Sequence, residues 1–174
     1  MKLLRFPFFL CYIRVSSITI MATGTPIMPA TSRETLYLAG YSSKLYIRNV
    51  ECVLSRYLFH QGDWVTRSLI YVFAIRQKPW RGQSTAFKVK WPKYAALLQV
   101  DPPHYLKHNV WAKTEYVVRN YDSQSLVLSD LKDIPSLCSL WVTKQHLFNI
   151  PKTTNRTFYE LCPDPVYTSF DICD

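Results

Sequence analysis

A basic, aromatic segment is the first candidate for chemistry in this 174-residue chain. The six residues Arg76-Gln-Lys-Pro-Trp-Arg81 place three cations around one proline and one indole. Guanidinium and ammonium groups pair with phosphates, and an indole suits either a lipid headgroup layer or the face of a nucleobase. The sequence therefore predicts an anion-binding or membrane-binding surface, whose residues are Arg76, Lys78, Trp80, Arg81, Lys88, Lys90 and Lys93.

The distribution of charge favours the same interpretation. The chain carries 21 Lys and Arg against 12 Asp and Glu, for a formal net charge of +9. No acid occurs between Asp63 and Asp101, whereas the end of the chain carries four acids and no base after Arg156. Such a chain is expected to contact a polyanion with its basic part and its own copies with its acidic tail. The alternative is a solvated basic face without a partner.

A short proline motif is the second candidate. Pro102-Pro103-His104-Tyr105 matches P-P-x-Y, a polyproline II ligand pattern that fits the aromatic grooves of WW domains. Its predicted recognition residues are Pro102, Pro103 and Tyr105. The alternative is a plain turn that ends a strand.

Catalytic and metal-binding patterns are absent from the sequence. It contains no G-x-S-x-G, no H-E-x-x-H and no glycine-rich phosphate loop, and it has only four glycines. His104 and His108 have the spacing of one helix face, but Pro102 and Pro103 argue against a helix there. We therefore expect a protein that is not an enzyme, with no catalytic residues, no metal site and no cofactor.

Five cysteines occur without C-x-x-C spacing, which we interpret as reduced side chains in a cytosolic protein. Residues 6–13 form an apolar run that mimics a secretory signal, but the run is short and contains Pro7. Since the sequence from Met21 resembles the N-terminus of an ordinary cytosolic protein, we interpret residues 1–20 as an upstream extension. If they are instead a signal, four cysteines and the sequon Asn155-Arg-Thr157 suit a secreted, disulfide-bonded domain.

The elements that must position these residues follow from hydrophobic spacing. Apolar residues three and four apart predict a helix over 44–59, and a second apolar helix over 64–77. Period-two alternation then predicts strands, the first being 87–91. The fold class is therefore α+β: an antiparallel sheet with two consecutive helices near the N-terminal half and a flexible N-terminal arm. Further strands are predicted at 35–39, 95–100, 115–119, 125–129 and 138–143.

Three regions follow from composition. Residues 1–34 form a flexible arm or upstream extension, residues 35–150 a single α+β domain, and residues 151–174 an acidic C-terminal tail.

This order of elements resembles the matrix proteins of rhabdoviruses, especially the short ones of plant-infecting members. The resemblance rests on residues 47–60, Gly62, residues 65–76, Pro79 and the strand at 87–91, and the P-P-x-Y motif is similar to the family's budding motif. It implies a structural virion protein that binds the viral nucleocapsid or RNA, lies on an anionic membrane surface and self-associates during assembly. It also implies contacts with the viral glycoprotein and WW-domain proteins, and a location in the virion and in the host cytoplasm, peripheral to the membrane.

Two other classes of function fit the same residues. One is a small basic RNA-binding regulator, such as a viral silencing suppressor, and the other is the secreted disulfide-bonded domain.

Overall fold

The structure is a computed structural model that describes residues 27–73, 81–92, 95–110, 112–131 and 135–169. The region interpreted as an upstream extension lies outside the described residues. So do Arg76, Lys78, Trp80 and Lys93 of the predicted cationic surface.

Eight antiparallel strands close into a barrel, and a ninth short strand adds to its edge. Each of β2 to β7 pairs with the next strand along the chain, and β8 pairs with β1. The first residues of β1 close the barrel against β2, while its last residues pair with β9. The strands are β1 Leu36–Ser42, β2 Val50–Gln61, β3 Trp64–Phe73, β4 Arg81–Lys90, β5 Leu97–Asp101, β6 Glu115–Tyr121, β7 Ser125–Ser129, β8 Cys138–Thr143 and β9 Pro165–Tyr167.

Helices are few among the described residues. Helix α1, His104–Asn109, lies between β5 and β6, and helix α2, Lys152–Leu161, lies against the outside of β6, β7 and β8. Three single 3₁₀ turns occur at Pro29–Thr31, Ser43–Leu45 and Lys144–His146. Neither described helix has the length and apolar run needed to cross a bilayer.

The two predicted consecutive helices are wrong, because residues 44–59 and 64–77 largely form the β2–β3 hairpin. Apolar residues occur on both faces of these strands: Val53 and Leu69 face the barrel interior, while Leu54 packs on the outside. Burial on both faces removes strict alternation and leaves spacings that imitate a helix. Gly62 lies in the hairpin turn with a φ of 59°, a left-handed conformation that glycine adopts without steric cost.

The α+β fold class is therefore wrong, although most of the predicted strands exist. The predictions at 125–129 and 138–143 coincide with β7 and β8, and the other strand predictions overlap β1, β4, β5 and β6. The division into three regions stays a prediction. Within the proposed acidic tail the structure places α2 and β9, both packed on the barrel.

The apolar residues form two clusters, one inside the barrel and one outside it. Leu36, Val89, Leu98 and Leu126 belong to the interior cluster. The outer cluster includes Phe158 of α2, which is fully buried against the barrel wall. Strand β7 lies between the clusters and is buried along its whole length.

A disulfide links two cysteines of the outer cluster. Cys138, at the start of β8, is bonded to Cys162, which directly follows α2, and their Cα atoms are 5.5 Å apart. Cys52 is also disulfide-bonded. The interpretation of the cysteines as reduced is therefore wrong.

A buried arginine holds the end of the barrel at which β1 begins. Arg67 is 1% exposed, and its Nε donates to the Ser55 hydroxyl at 2.8 Å. Its other guanidinium nitrogens donate to four backbone carbonyls, those of Ala30, Ser32, Glu34 and Ser55. Burial lowers its pKa to about 10, so the group stays charged at neutral pH. The bonds tie the segment before β1 to β2 and β3 and close this end of the barrel.

Replacing Arg67 by Met should lower the free energy of unfolding by about 3 kcal/mol, since it leaves several buried carbonyls without a donor. Arg56→Met is the matched control because Arg56 is exposed on β2. Urea unfolding followed by circular dichroism measures both variants. Equal midpoints for the two would contradict the role assigned to Arg67.

Gly40 is required where β1 passes beneath α2. A Cβ at this position would lie 2.8 Å from Cε1 of Phe158 and 3.0 Å from the carbonyl oxygen of Val166. Gly40→Ala should therefore destabilise the protein by about 1–3 kcal/mol through overpacking. Gly82→Ala serves as the control, because its Cβ would meet nothing closer than 3.9 Å. Thermal unfolding of both variants tests this, and an unchanged melting temperature for Gly40→Ala would refute the packing argument.

Candidate functional site

The barrel encloses a cavity of about 460 Å³, within the 300–1,000 Å³ range of small-molecule sites. Arg67 and Ala30 line its closed end. Inward-facing side chains from successive strands form its wall, and most of them are apolar. They include Leu38, Val53, Leu69, Phe87, Val100 and Leu126.

The opposite end of the cavity is a mouth formed by connections between strands. The β1–β2 connection contributes Tyr46 and Ile47, of which Tyr46 is 59% exposed. The β5–β6 connection contributes Pro102 and Leu106, and Leu106 anchors α1 because it is 1% exposed. An apolar ligand therefore meets apolar side chains at the rim before it reaches the interior.

Several polar side chains that line the cavity are held by an ion pair or by hydrogen bonds. Lys113 and Asp130 form an ion pair of 3.0 Å, in which the side chain of Asp130 is 8% exposed. The Tyr116 hydroxyl accepts a bond from the backbone N–H of Lys113 at 3.0 Å, and burial raises the pKa of Tyr116. Tyr71 donates its hydroxyl to Gln83 at 2.7 Å. A mainly apolar chamber with a few fixed polar groups suits an apolar molecule that carries few polar atoms.

The P-P-x-Y motif belongs to the rim of this cavity. Pro102 is buried, Pro103 precedes the first helical residue, and Tyr105 lies on α1, where its hydroxyl donates to Thr85 at 2.6 Å. The expectation that the prolines prevent a helix is wrong, because they precede it and proline is tolerated at a helix start. Tyr105 is thus held by β4 and is not part of an extended ligand segment.

The predicted cationic surface is not assembled among the described residues. Arg81 begins β4 and Lys90 ends it, so their backbones are separated by about 30 Å at the usual rise of a strand. Lys90 bonds Asp63 at 2.9 Å, and this hydrogen bond, with the charge of Lys90, lowers the pKa of the Asp63 carboxyl. Lys88 is close to Lys90 on the same strand. Anion binding by these side chains stays a prediction.

The sequence interpretation missed the cavity residues because it assigned β2 and β3 to helices. The signal that identifies them is the hairpin around Gly62 and Asp63, with β-branched and aromatic residues on both sides. In that register, Val53, Leu69 and Tyr71 share the inner face with Phe87.

Comparison with known proteins gives relatives along nearly the whole chain. Japanin-like-RS from Rhipicephalus sanguineus is 59% identical over 160 residues, 92% of this chain and 91% of that protein. Japanin from Rhipicephalus appendiculatus is 56% identical over 171 residues, 98% of this chain and 97% of that protein. A structure of Japanin from the same tick bound to cholesterol is 55% identical, with a TM-score of 0.82, covering 86% of this chain and 100% of that one. No protein-family model matches the chain.

These relatives overturn the viral assignment. The rhabdovirus resemblance rested on two helices that do not exist, and proteins more than half identical to this chain come from ticks. The matrix function, the RNA-binding alternative and the nucleocapsid, membrane, glycoprotein and WW-domain partners are therefore wrong, as is a location in the virion or host cytoplasm. The disulfide between Cys138 and Cys162 also conflicts with a cytoplasmic location.

The relatives, together with the closed eight-stranded barrel that the chain shares with the solved structure, identify its family. This chain belongs to the lipocalin family represented by tick Japanin.

Proposed function

We propose that this protein is a secreted, non-catalytic binding protein that encloses a sterol, such as cholesterol, in its barrel cavity. The observation that carries the proposal is the mainly apolar cavity of about 460 Å³, which is closed at one end and open at the other. The cholesterol-bound structure of a relative that is 55% identical supports the ligand class.

The physical chemistry of the cavity suits a sterol. A sterol is a rigid, fused-ring hydrocarbon with one hydroxyl, so it loses little conformational freedom on binding and gains from the removal of apolar surface from water. The aliphatic wall supplies that surface, while the Lys113–Asp130 pair and Tyr116 offer polar partners for a single hydroxyl. A ligand with several charges would leave most of them unpaired against the wall.

The disulfides support secretion. Cystines persist in oxidising compartments and are rare in the cytosol. The structure holds one between Cys138 and Cys162, and Cys52 is bonded as well. The secreted disulfide-bonded domain, an alternative in the sequence analysis, is thus nearer to the proposal than the viral interpretation.

Filling the cavity tests the proposal directly. Leu69→Trp places a larger side chain on the inner face of β3, and we expect it to weaken cholesterol binding at least about tenfold, or about 1.4 kcal/mol, because the indole takes up volume that the sterol needs. Ala86→Trp on the exposed outer face of β4 is the control and should bind as the parent protein does. Equilibrium binding of radiolabelled cholesterol to the purified, disulfide-bonded protein measures the affinity.

Two outcomes would contradict the proposal. One is a parent protein that binds no cholesterol at concentrations at which tick Japanin is saturated. The other is equal loss of binding in both Trp variants, which would place the ligand outside the cavity. Circular dichroism of each variant confirms that the barrel is intact.

A further inference from the structure

Two histidines lie side by side on helix α1 at the rim of the cavity. The Nε2 atoms of His104 and His108 are 3.3 Å apart, and the ring centroids are separated by 4.6 Å. Both side chains are exposed, so the pair is open to solutes. Neither imidazole lines the cavity.

The spacing of the two nitrogens suits one shared metal ion. Imidazole nitrogens bind Zn²⁺ at about 2.0–2.1 Å, and two nitrogens 3.3 Å apart then subtend an angle of about 105–110° at the ion. That value is close to the tetrahedral angle. Histidines four residues apart on one helix face are a recurrent metal-binding arrangement.

The backbone that carries the pair is already fixed. Leu106 is buried between the two histidines in sequence, and its carbonyl accepts bonds from the backbone N–H groups of Val110 and Ala112. Tyr105 is bonded to Thr85 of β4. Because the backbone of α1 is held in this way, metal binding does not have to order the turn that carries the two histidines.

In the metal-free protein the two rings satisfy each other, one Nε2–H donating to the other Nε2. When a divalent ion binds both Nε2 atoms, the hydrogen between them leaves its Nε2 for solvent and Nδ1 of the same ring takes up a hydrogen, so both neutral rings then carry their N–H on Nδ1. No set of three or more ligating side chains occurs among the described residues, so the other positions on the ion would be filled by water or by an external ligand.

We propose that His104 and His108 form a two-histidine chelate for a divalent transition-metal ion. Imidazole is a good ligand for Cu²⁺, Ni²⁺ and Zn²⁺. At a site without strong geometric constraints, affinity for divalent ions increases from Mn²⁺ to Cu²⁺ and is lower again for Zn²⁺. The site is independent of the sterol: it uses the outer face of α1, whereas Leu106 faces the cavity.

Titration of the untagged, full-length protein with Cu²⁺ tests the proposal. We expect one site that is removed in His104→Ala/His108→Ala and weakened at least about tenfold in each single variant, since loss of even an outer-shell partner of a metal ligand typically costs about 10–100-fold in affinity. His60→Ala is the matched control, since His60 is exposed on β2 and distant in the fold from α1, and it should bind as the parent does. Electron paramagnetic resonance of the Cu²⁺ complex should show coupling to two nitrogens in the parent and lose it in the double variant.

A second measurement does not depend on the variants folding. Zn²⁺ should protect His104 and His108, but not His60, from carbethoxylation in the parent protein, read by peptide mass spectrometry. Equal modification with and without Zn²⁺, or a double variant that binds Cu²⁺ as tightly as the His60→Ala control, would overturn the proposal.

Discussion

The guanidinium of Arg67 closes one end of the barrel, and the rest of the site depends on that closure. Its bonds reach Ser55 on β2 and the carbonyls of the segment before β1, so three stretches of chain converge on one cation. Carbonyl oxygens compensate the charge at a site where water is excluded. The result is a cavity with a floor, and a ligand must pass through the mouth formed by the connections at the other end.

Helix α2 covers part of the outer surface of the barrel, so that strand residues beneath it are buried on their outer face as well as on their inner face. Phe158 and the disulfide at Cys162 hold α2 against the wall formed by β6, β7 and β8. Within this wall, β7 is buried along its whole length, with Val127 in the outer cluster and Leu126 and Leu128 in the interior cluster. Strands of this kind have the composition of buried helices, although their backbone is extended.

This property explains what could be predicted from the sequence. Strands β7 and β8 lie between clear polar turns, and their positions were confirmed residue for residue. Strands β2 and β3 lacked alternation, so local spacing favoured helices and hid the cavity residues such as Leu69. The partner of Cys138 lies 24 residues away and is brought near by the packing of α2, which no local pattern reveals. The net charge favoured an anionic partner for a different reason. Charged side chains lie mainly on the solvated outer surface, so their sum carries no information about the apolar interior.

The divided pairing of β1 has a consequence for how the barrel deforms. Leu36 and Tyr37 bond to β2, but from Gly40 onward the strand turns to β9, so the wall has a seam between the far half of β1 and the residues near Val50. Among the described residues, β1 and β2 form no ladder pair beyond Tyr37 and Leu54, and the lining residues Tyr41 and Val50 border the seam. The two sides of this seam can therefore separate without breaking a β1–β2 ladder pair.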